Sequence, residues 1–372
     1  MYSVAPAQVA GLFTANRVKA APVVVSERHL RRSSNIAQAI IVNAGNANCA
    51  TGAQGMQAAR ACAARAAALL KIPVRQVLLA STGVIGVPLD ATRITNLLPA
   101  LVRRMHPEGV PRVARAILTT DTRPKVASRT LQVSGRKATI LGMAKGAGMI
   151  YPRLIPSATM LGFLFTDAVV EPRFLQRAAA RACDLSFNRI SVDGDTSTND
   201  TLFLMANGMA GGWVIGEKST AGKAFFDALV AVMQELALAL VRDGEGANKV
   251  AEIRVEQARS EKQAEAIARA IALSPLVKTA IAGADPNWGR ILSAAGNAGV
   301  SFEPNRVDIY IHRMRVCRQG GAAEFDETAA SKLLQAKDIL IRVMLGQGTA
   351  QARFWTCDFT NEYIRINASY RT

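Results

Sequence analysis

Lys145-Gly146-Ala147-Gly148-Met149-Ile150 leads through seven residues into Ala158-Thr159-Met160-Leu161, near the middle of a 372-residue chain. The fold turns on how Thr159 is read. A threonine hydroxyl is a weak nucleophile unless a base sits beside it. The threonine's own α-amine can be that base only if the chain is cut in front of it. A small residue before Thr159, with glycines upstream to let the backbone strain, suits a precursor that cuts itself between Ala158 and Thr159. The same four residues also fit the start of a buried strand, so the choice rests on their surroundings.

Half of the residues are hydrophobic and only 5% are aromatic, so the core must be built from Ala, Val, Leu and Ile. The length allows two domains or one large one. The longest uninterrupted apolar stretches, such as 160–165 and 236–241, are much shorter than a membrane span. The start, Met1-Tyr2-Ser3-Val4-Ala5-Pro6, lacks the charged n-region and apolar core of a signal peptide. A cytoplasmic protein is expected. Five scattered cysteines without a CxxC pair argue against a disulfide framework or a zinc site, and no metal is expected. A Ser-His-Asp triad would need His29, His106 or His312, and no G-x-S-x-G elbow accompanies them.

The net charge of +17 is unevenly placed. Before Thr159 there are 21 lysines and arginines against four acids, Glu27, Asp90, Glu108 and Asp121; from Thr159 onward 24 bases meet 24 acids. A basic first half suits an anionic ligand, nucleic acid or a solvated surface. Its arginines are dispersed and lack interleaved aromatics, and no nucleic-acid-binding signature is present, which makes nucleic acid an unfavoured partner.

The pattern predicts strands at 23–25, 39–42, 77–80, 116–120, 138–141, 160–166, 202–205, 250–256, 307–312 and 339–344. Helices are predicted at 57–70, 91–104 with Pro99 breaking or kinking it, 171–183, 221–241, 262–272 and 327–337. Segments 354–359 and 363–366 read as a closing hairpin. This mixture is α+β or layered α/β.

Several polar loops carry chemistry. Ser81-Thr82-Gly83-Val84-Ile85-Gly86 follows a strand, and a threonine hydroxyl beside turning backbone N–H groups is a recipe for an oxyanion hole; a plain glycine turn reads the same way. Asp193-Gly194-Asp195-Thr196-Ser197-Thr198-Asn199-Asp200-Thr201 has alternating oxygen ligands, but it lacks the mid-loop glycine and distal glutamate of a calcium loop. Asx and Ser/Thr turns explain it better. Glu245, between Gly244 and Gly246, is a turn acid available to a cationic group. Trp288 stands in the polar loop Gly283-Ala284-Asp285-Pro286-Asn287-Trp288-Gly289-Arg290, beside a site or folded onto local core. Gly146-Ala147-Gly148 is not a P-loop, since no Gly-Lys-Ser/Thr follows.

Together these pieces resemble the ornithine acetyltransferase, or glutamate N-acetyltransferase, family of arginine biosynthesis. The resemblance runs from Asn16-Arg17-Val18-Lys19-Ala20-Ala21-Pro22-Val23 through Asn43-Ala44-Gly45-Asn46-Ala47-Asn48, the Ser81 and Lys145 motifs, Thr119-Thr120-Asp121-Thr122, Ala158-Thr159-Met160-Leu161 and Asp243-Gly244-Glu245-Gly246 to Ile366-Asn367-Ala368-Ser369-Tyr370-Arg371-Thr372. It implies a self-cleaving, N-terminal-nucleophile-like sandwich. Residues 1–158 would form a basic α chain and 159–372 a β chain that begins with the nucleophile Thr159. The two would assemble as a heterotetramer. Thr82 and Gly83 would form the oxyanion hole. Thr119, Lys145, Thr159, Glu245, Asn367 and Thr372 would contact substrate. The acetyl group of N2-acetyl-L-ornithine would pass through acetyl-Thr159 to L-glutamate. No cofactor is implied, with acetyl-CoA as a possible co-substrate. Two departures from the family's pattern stand out: about three additional residues between Ile150 and Ala158, and a short start before Gly11, where an edge strand is expected to be missing. A related amidase or aminopeptidase, or an uncleaved basic binding protein, would carry many of the same features.

Overall fold

In chain order the elements are β1 (Tyr2–Phe13), α1 (Ala21–Arg32), β2 (Ile36–Asn46), α2 (Gly52–Leu70), β3 (Val77–Val84), α3 (Ala91–Arg103), α4 (Val110–Ala116), β4 (Lys125–Val133) and β5 (Arg136–Lys145). There follow β6 (Leu161–Val170), α5 (Pro172–Asp184), β7 (Ile190–Ser191), β8 (Thr201–Ile215), α6 (Thr220–Arg242), β9 (Val250–Ala258), α7 (Glu261–Leu273), α8 (Pro275–Ala282) and α9 (Trp288–Gly296). The last are β10 (Asp308–Ile311), β11 (Met314–Arg318), β12 (Gly321–Ala322), α10 (Glu327–Leu333), β13 (Asp338–Met344), β14 (Ala350–Cys357) and α11 (Asn361–Ser369). The computed structural model describes residues 1–133, 135–152 and 160–369. Ala158, Thr159, Thr372 and residues 153–157 of the lengthened segment lie outside the described residues.

The chain forms two compact units. Of the described residues, those of 1–188 and 195–240 belong to the first, and 189–194 and 241–369 to the second. The first unit is built on a seven-stranded sheet of order β3-β2-β1-β8-β6-β5-β4. β1 is a central strand of this sheet, antiparallel to both β2 and β8. Its core joins Val9, Phe13, Ile40, Leu78, Met143, Phe163 and Phe203. A second cluster explains the Ala-rich sequence of α2: Ala59, Ala63 and Ala66 let the helix lie close to Val25, Val77 and Leu79.

Helix α6 is long and apolar enough to cross a membrane by length and composition, although no uninterrupted apolar run in the sequence reaches that length. Phe225, Leu229, Val232, Leu236 and Leu240 are fully buried at helical spacing, and Gly142 leaves room for α6, since a Cβ there would meet Leu236 Cδ1 at 2.8 Å. This is the stripe of a core helix.

The second unit has a mixed sheet of order β12-β11-β10-β13-β9-β14-β7, with β9 and β13 parallel. Ile253, Val255, Ile341, Val343 and Phe354 fill its inner face, and Ile267 and Ile271 of α7 are buried with them in the second unit's core.

Three predicted strands are corrected. Val23-Val24-Val25 lies in α1, where Pro22 sets the first turn and Val23 and Val25 are buried. Residues 110–116 form α4, again opened by a proline, and Ile117 caps it instead of starting a strand. Residues 363–366 lie in α11, so the closing hairpin does not exist; Glu362 in the first turn pairs with Arg365 one turn on. Pro99 is accommodated inside α3, which runs on to Arg103. The strand predicted at 202–205 is much longer: β8 continues through Asn207-Gly208 to Ile215, with irregular register against β6.

Candidate functional site

In the first unit the parallel pair β2 and β3 sets Asn43 opposite Ser81, Ala44 opposite Thr82 and Gly45 opposite Gly83. The Ser81 hydroxyl donates to Asn43 Oδ1 at 2.6 Å. The Asn199 amide donates to the carbonyls of Ala47 and Ser81 at 2.6 and 2.8 Å, which ties the ends of both strands to the polar loop before β8. That loop's asparagine is thus a strut. Gly83 has φ +130°, and a Cβ there would stand 2.2 Å from the Gly45 carbonyl carbon. Only glycine lets the two strands approach this closely while Thr82 is presented beside it.

Lys145, the last residue of β5, reaches Thr82. Its Nζ donates to Thr119 Oγ1 at 2.8 Å and to Thr82 Oγ1 at 3.2 Å. It also lies 3.5 Å from Asp121 Oδ2. An ammonium only donates, so both hydroxyl oxygens are acceptors here and each keeps its own hydrogen for another partner. That is the state an oxyanion donor needs.

The carboxylate of Asp121 organises this cluster. Its side chain is fully buried and pairs with Lys125 Nζ at 2.6 Å. It also accepts from the Gly146 N–H at 2.6 Å and the Thr119 N–H at 3.3 Å. Burial alone would raise its pKa, but the charges of Lys145 and Lys125 and the hydrogen bonds prevail and hold it below the ordinary carboxylate value. Among the described residues the cluster sets two ammoniums beside one carboxylate, an arrangement suited to developing negative charge. Asp121 and Lys125 were not among the sequence-predicted site residues. The available signal was compositional: Asp121 is one of four acids among 21 bases.

The antiparallel register sets Leu161 of β6 opposite Lys145. Met160 is buried, and its carbonyl accepts from the Thr201 N–H at 2.9 Å. Thr159 itself lies outside the described residues.

The second unit unites two other predicted residues. Asn367 on α11 donates through Nδ2 to Glu245 Oε2 at 2.9 Å. Gly246 has φ +70°, and a Cβ there would fall 2.4 Å from the Tyr363 backbone nitrogen, so α11 rests against the turn that holds Glu245. The Thr360 hydroxyl donates to the Gly246 carbonyl at 2.7 Å. Thr372 lies outside the described residues. Trp288, by contrast, simply opens α9, capped by Asn287.

The histidines are used elsewhere. His29 Nδ1 meets the Val77 carbonyl at 2.8 Å, and His106 caps a short turn. No group of three or more potential metal ligands occurs among the described residues.

The ArgJ family model matches residues 1–372. The arginine biosynthesis bifunctional protein ArgJ of Symbiobacterium thermophilum is 46% identical over 367 residues, covering 99% of this chain and 90% of that protein. Its counterpart from Thermotoga neapolitana is 44% identical, covering 100% and 94%. The crystal structure of ArgJ from Bacillus halodurans matches with a TM-score of 0.56 at 40% identity, over 57% of this chain and all of that one. The chain belongs to the ArgJ family.

Proposed function

We propose that the chain transfers the acetyl group of N2-acetyl-L-ornithine to L-glutamate in arginine biosynthesis, with Thr159 as the group that carries it. The relatives named above are bifunctional proteins of that pathway. The observation that carries the chemical reading is the buried cluster of Lys145, Thr82, Thr119 and Asp121, whose two threonine hydroxyls keep donatable hydrogens beside a buried ammonium.

Cleavage between Ala158 and Thr159 frees an α-amine that takes the proton of the Thr159 hydroxyl. Thr159 Oγ then bonds to the acetyl carbon of acetylornithine. Negative charge develops on the acetyl oxygen, stabilised by the Thr82 hydroxyl and the Gly83 backbone N–H, with the Lys145 charge polarising Thr82. The C–N bond breaks, and ornithine leaves with the proton from the α-amine. Glutamate's amine attacks the resulting ester, Thr159 Oγ leaves with that amine's proton, and acetylglutamate departs. Lys145 and Thr119 serve a substrate carboxylate, as do Asn367 and Thr372, while Glu245 suits an ammonium. The ester path needs no cofactor, and acetyl-CoA could reach the same ester by the same attack. The α and β chains would assemble as a heterotetramer in the cytoplasm.

The test is transfer itself. Acetylglutamate and ornithine should appear in equal amounts from acetylornithine and glutamate, and Thr159→Ala should abolish both. Release of free acetate at the same rate without glutamate would favour an amidase instead.

A further inference from the structure

Lys125 is the member of the buried cluster to which the acetyl-transfer scheme gives no task. It opens β4, and the antiparallel register sets it opposite Ala144, so it arrives beside Lys145 at the end of β5. Its side chain is 1% exposed. Enclosing an ammonium is costly, and one ammonium, that of Lys145, would already balance Asp121. The fold nevertheless encloses two around the same carboxylate.

The two oxygens of Asp121 are used differently. Oδ1 accepts from Lys125 Nζ and from the Gly146 N–H, both at 2.6 Å. Oδ2 accepts from the Thr119 N–H at 3.3 Å and lies 3.5 Å from Lys145 Nζ. That separation is longer than a charge-assisted hydrogen bond, which is about 2.7–2.9 Å. Lys145 Nζ sits closer to the hydroxyl oxygens, at 2.8 Å from Thr119 and 3.2 Å from Thr82. The tight contact of the carboxylate thus goes to Lys125, and Lys145 is left to the threonines. Without the Lys125 charge, Lys145 would be the nearest cation to Asp121 in this cluster. Closing on Oδ2 would then draw its ammonium off the hydroxyls.

We propose that Lys125 is a positioning residue for acetyl transfer: by occupying Asp121 it keeps Lys145 from closing on the carboxylate and leaves the Lys145 ammonium aimed at Thr82 and Thr119. The inference rests on the acetyl-transfer reading of this site and adds a residue to it. Lys125 acts through Asp121 and Lys145, so its effect depends on the carboxylate being there.

Transfer kinetics of Lys125→Met, Asp121→Asn and the double variant test this, each rate divided by the amount of chain that acetylornithine acetylates at Thr159. Lys125→Met should lower kcat by about tenfold or more, the loss of one charge-assisted hydrogen bond. Alone, Asp121→Asn should lower kcat. In the Lys125→Met background the same change should raise it severalfold, because no carboxylate is left to draw Lys145 away. A residue that only supports the fold would not reverse that sign. Where Lys125→Met does not fold, Lys125→Gln, which keeps a neutral donor for Asp121, should show the same reversal with a smaller loss. Unchanged kcat in the folded Lys125 variant, or a further loss on adding Asp121→Asn, would overturn the proposal. Crystal structures read the same division without activity. In Lys125→Met, Lys145 Nζ should approach Asp121 Oδ2 to about 2.8 Å, and an unchanged separation would overturn the proposal. A wild type that makes no acetylglutamate, with the approach seen in the crystals, would overturn the acetyl-transfer reading alone.

Discussion

Asp121 illustrates how a single residue can govern a site without touching the substrate. Its carboxylate holds Lys125 and Lys145 together in a buried position, and Lys145 in turn orients Thr82 and Thr119. Asp121→Asn keeps the shape but removes the buried carboxylate that both ammoniums face. A loss of about 3 kcal/mol or more is expected, since breaking a buried pair is costly. Urea unfolding in a Thr159→Ala background, where the chain stays whole, measures it. The pH dependence has a definite sign. The folded-state pKa lies below the unfolded value of about 3.9, so the stabilisation is fully present above roughly pH 5 and is lost as pH falls through the folded pKa. The gap between wild type and Asp121→Asn should therefore stay constant from neutral pH down to mild acid and shrink below about pH 4. A gap that widens in acid would contradict this assignment. Thr82→Ala should lower kcat by about a hundredfold, the usual effect of removing one oxyanion donor, with KM little changed; steady-state kinetics reads both. Thr82, Gly83, Thr119 and Lys145 were legible in the sequence because each sits in a short motif of the family. Asp121 shares Thr119's motif, but its role was not legible, because that role depends on β5 bringing Lys145 back to it.

Elements fix the spacing of these residues. Gly83 and Gly246 each stand where another segment passes too close for a side chain. Gly246→Ala places a methyl group 2.4 Å from the Tyr363 nitrogen, in a φ that L residues avoid. It should cost about 1–3 kcal/mol and move α11 with Asn367. The expected kinetic signature is a KM for acetylornithine raised more than kcat is lowered. An unchanged KM would mean that Glu245 and Asn367 do not contact substrate. The elements also show where pattern reading fails. The long helices α2, α3, α5, α6 and α7 and the strands β9 and β13 were found within about five residues, whereas β1 and β4 were missed and β8 was found only in part. Val23-Val24-Val25 failed because tertiary burial overrode β propensity once Pro22 had set a helical start. The end of the chain failed because 363–366 alternates well enough for a strand, while the i,i+3 pair Glu362–Arg365 and packing against Gly246 favour a helix.

At the scale of the molecule, the proposed cut at 158/159 does not follow the division into compact units. It falls inside the first unit, whose sheet takes β1 to β5 from before the cut and β6 and β8 from after it. β1 pairs with β8, and β5 with β6, across the cut. The two chains should therefore elute together under native conditions and separate only in denaturant; separation in buffer alone would contradict the pairing. The Ala158-Thr159 motif, the family resemblance and the charge step, with the whole excess of +17 before Thr159, all suggested the boundary, but none hinted that one sheet spans it. Mass spectrometry of the denatured protein after brief incubation with N-acetylornithine tests the central claim most directly. The account predicts two chains, the second beginning at Thr159 and carrying one acetyl group on that residue, which disappears when glutamate is added. A single uncut chain with full transfer activity, or an acetyl group on any other residue, would contradict it.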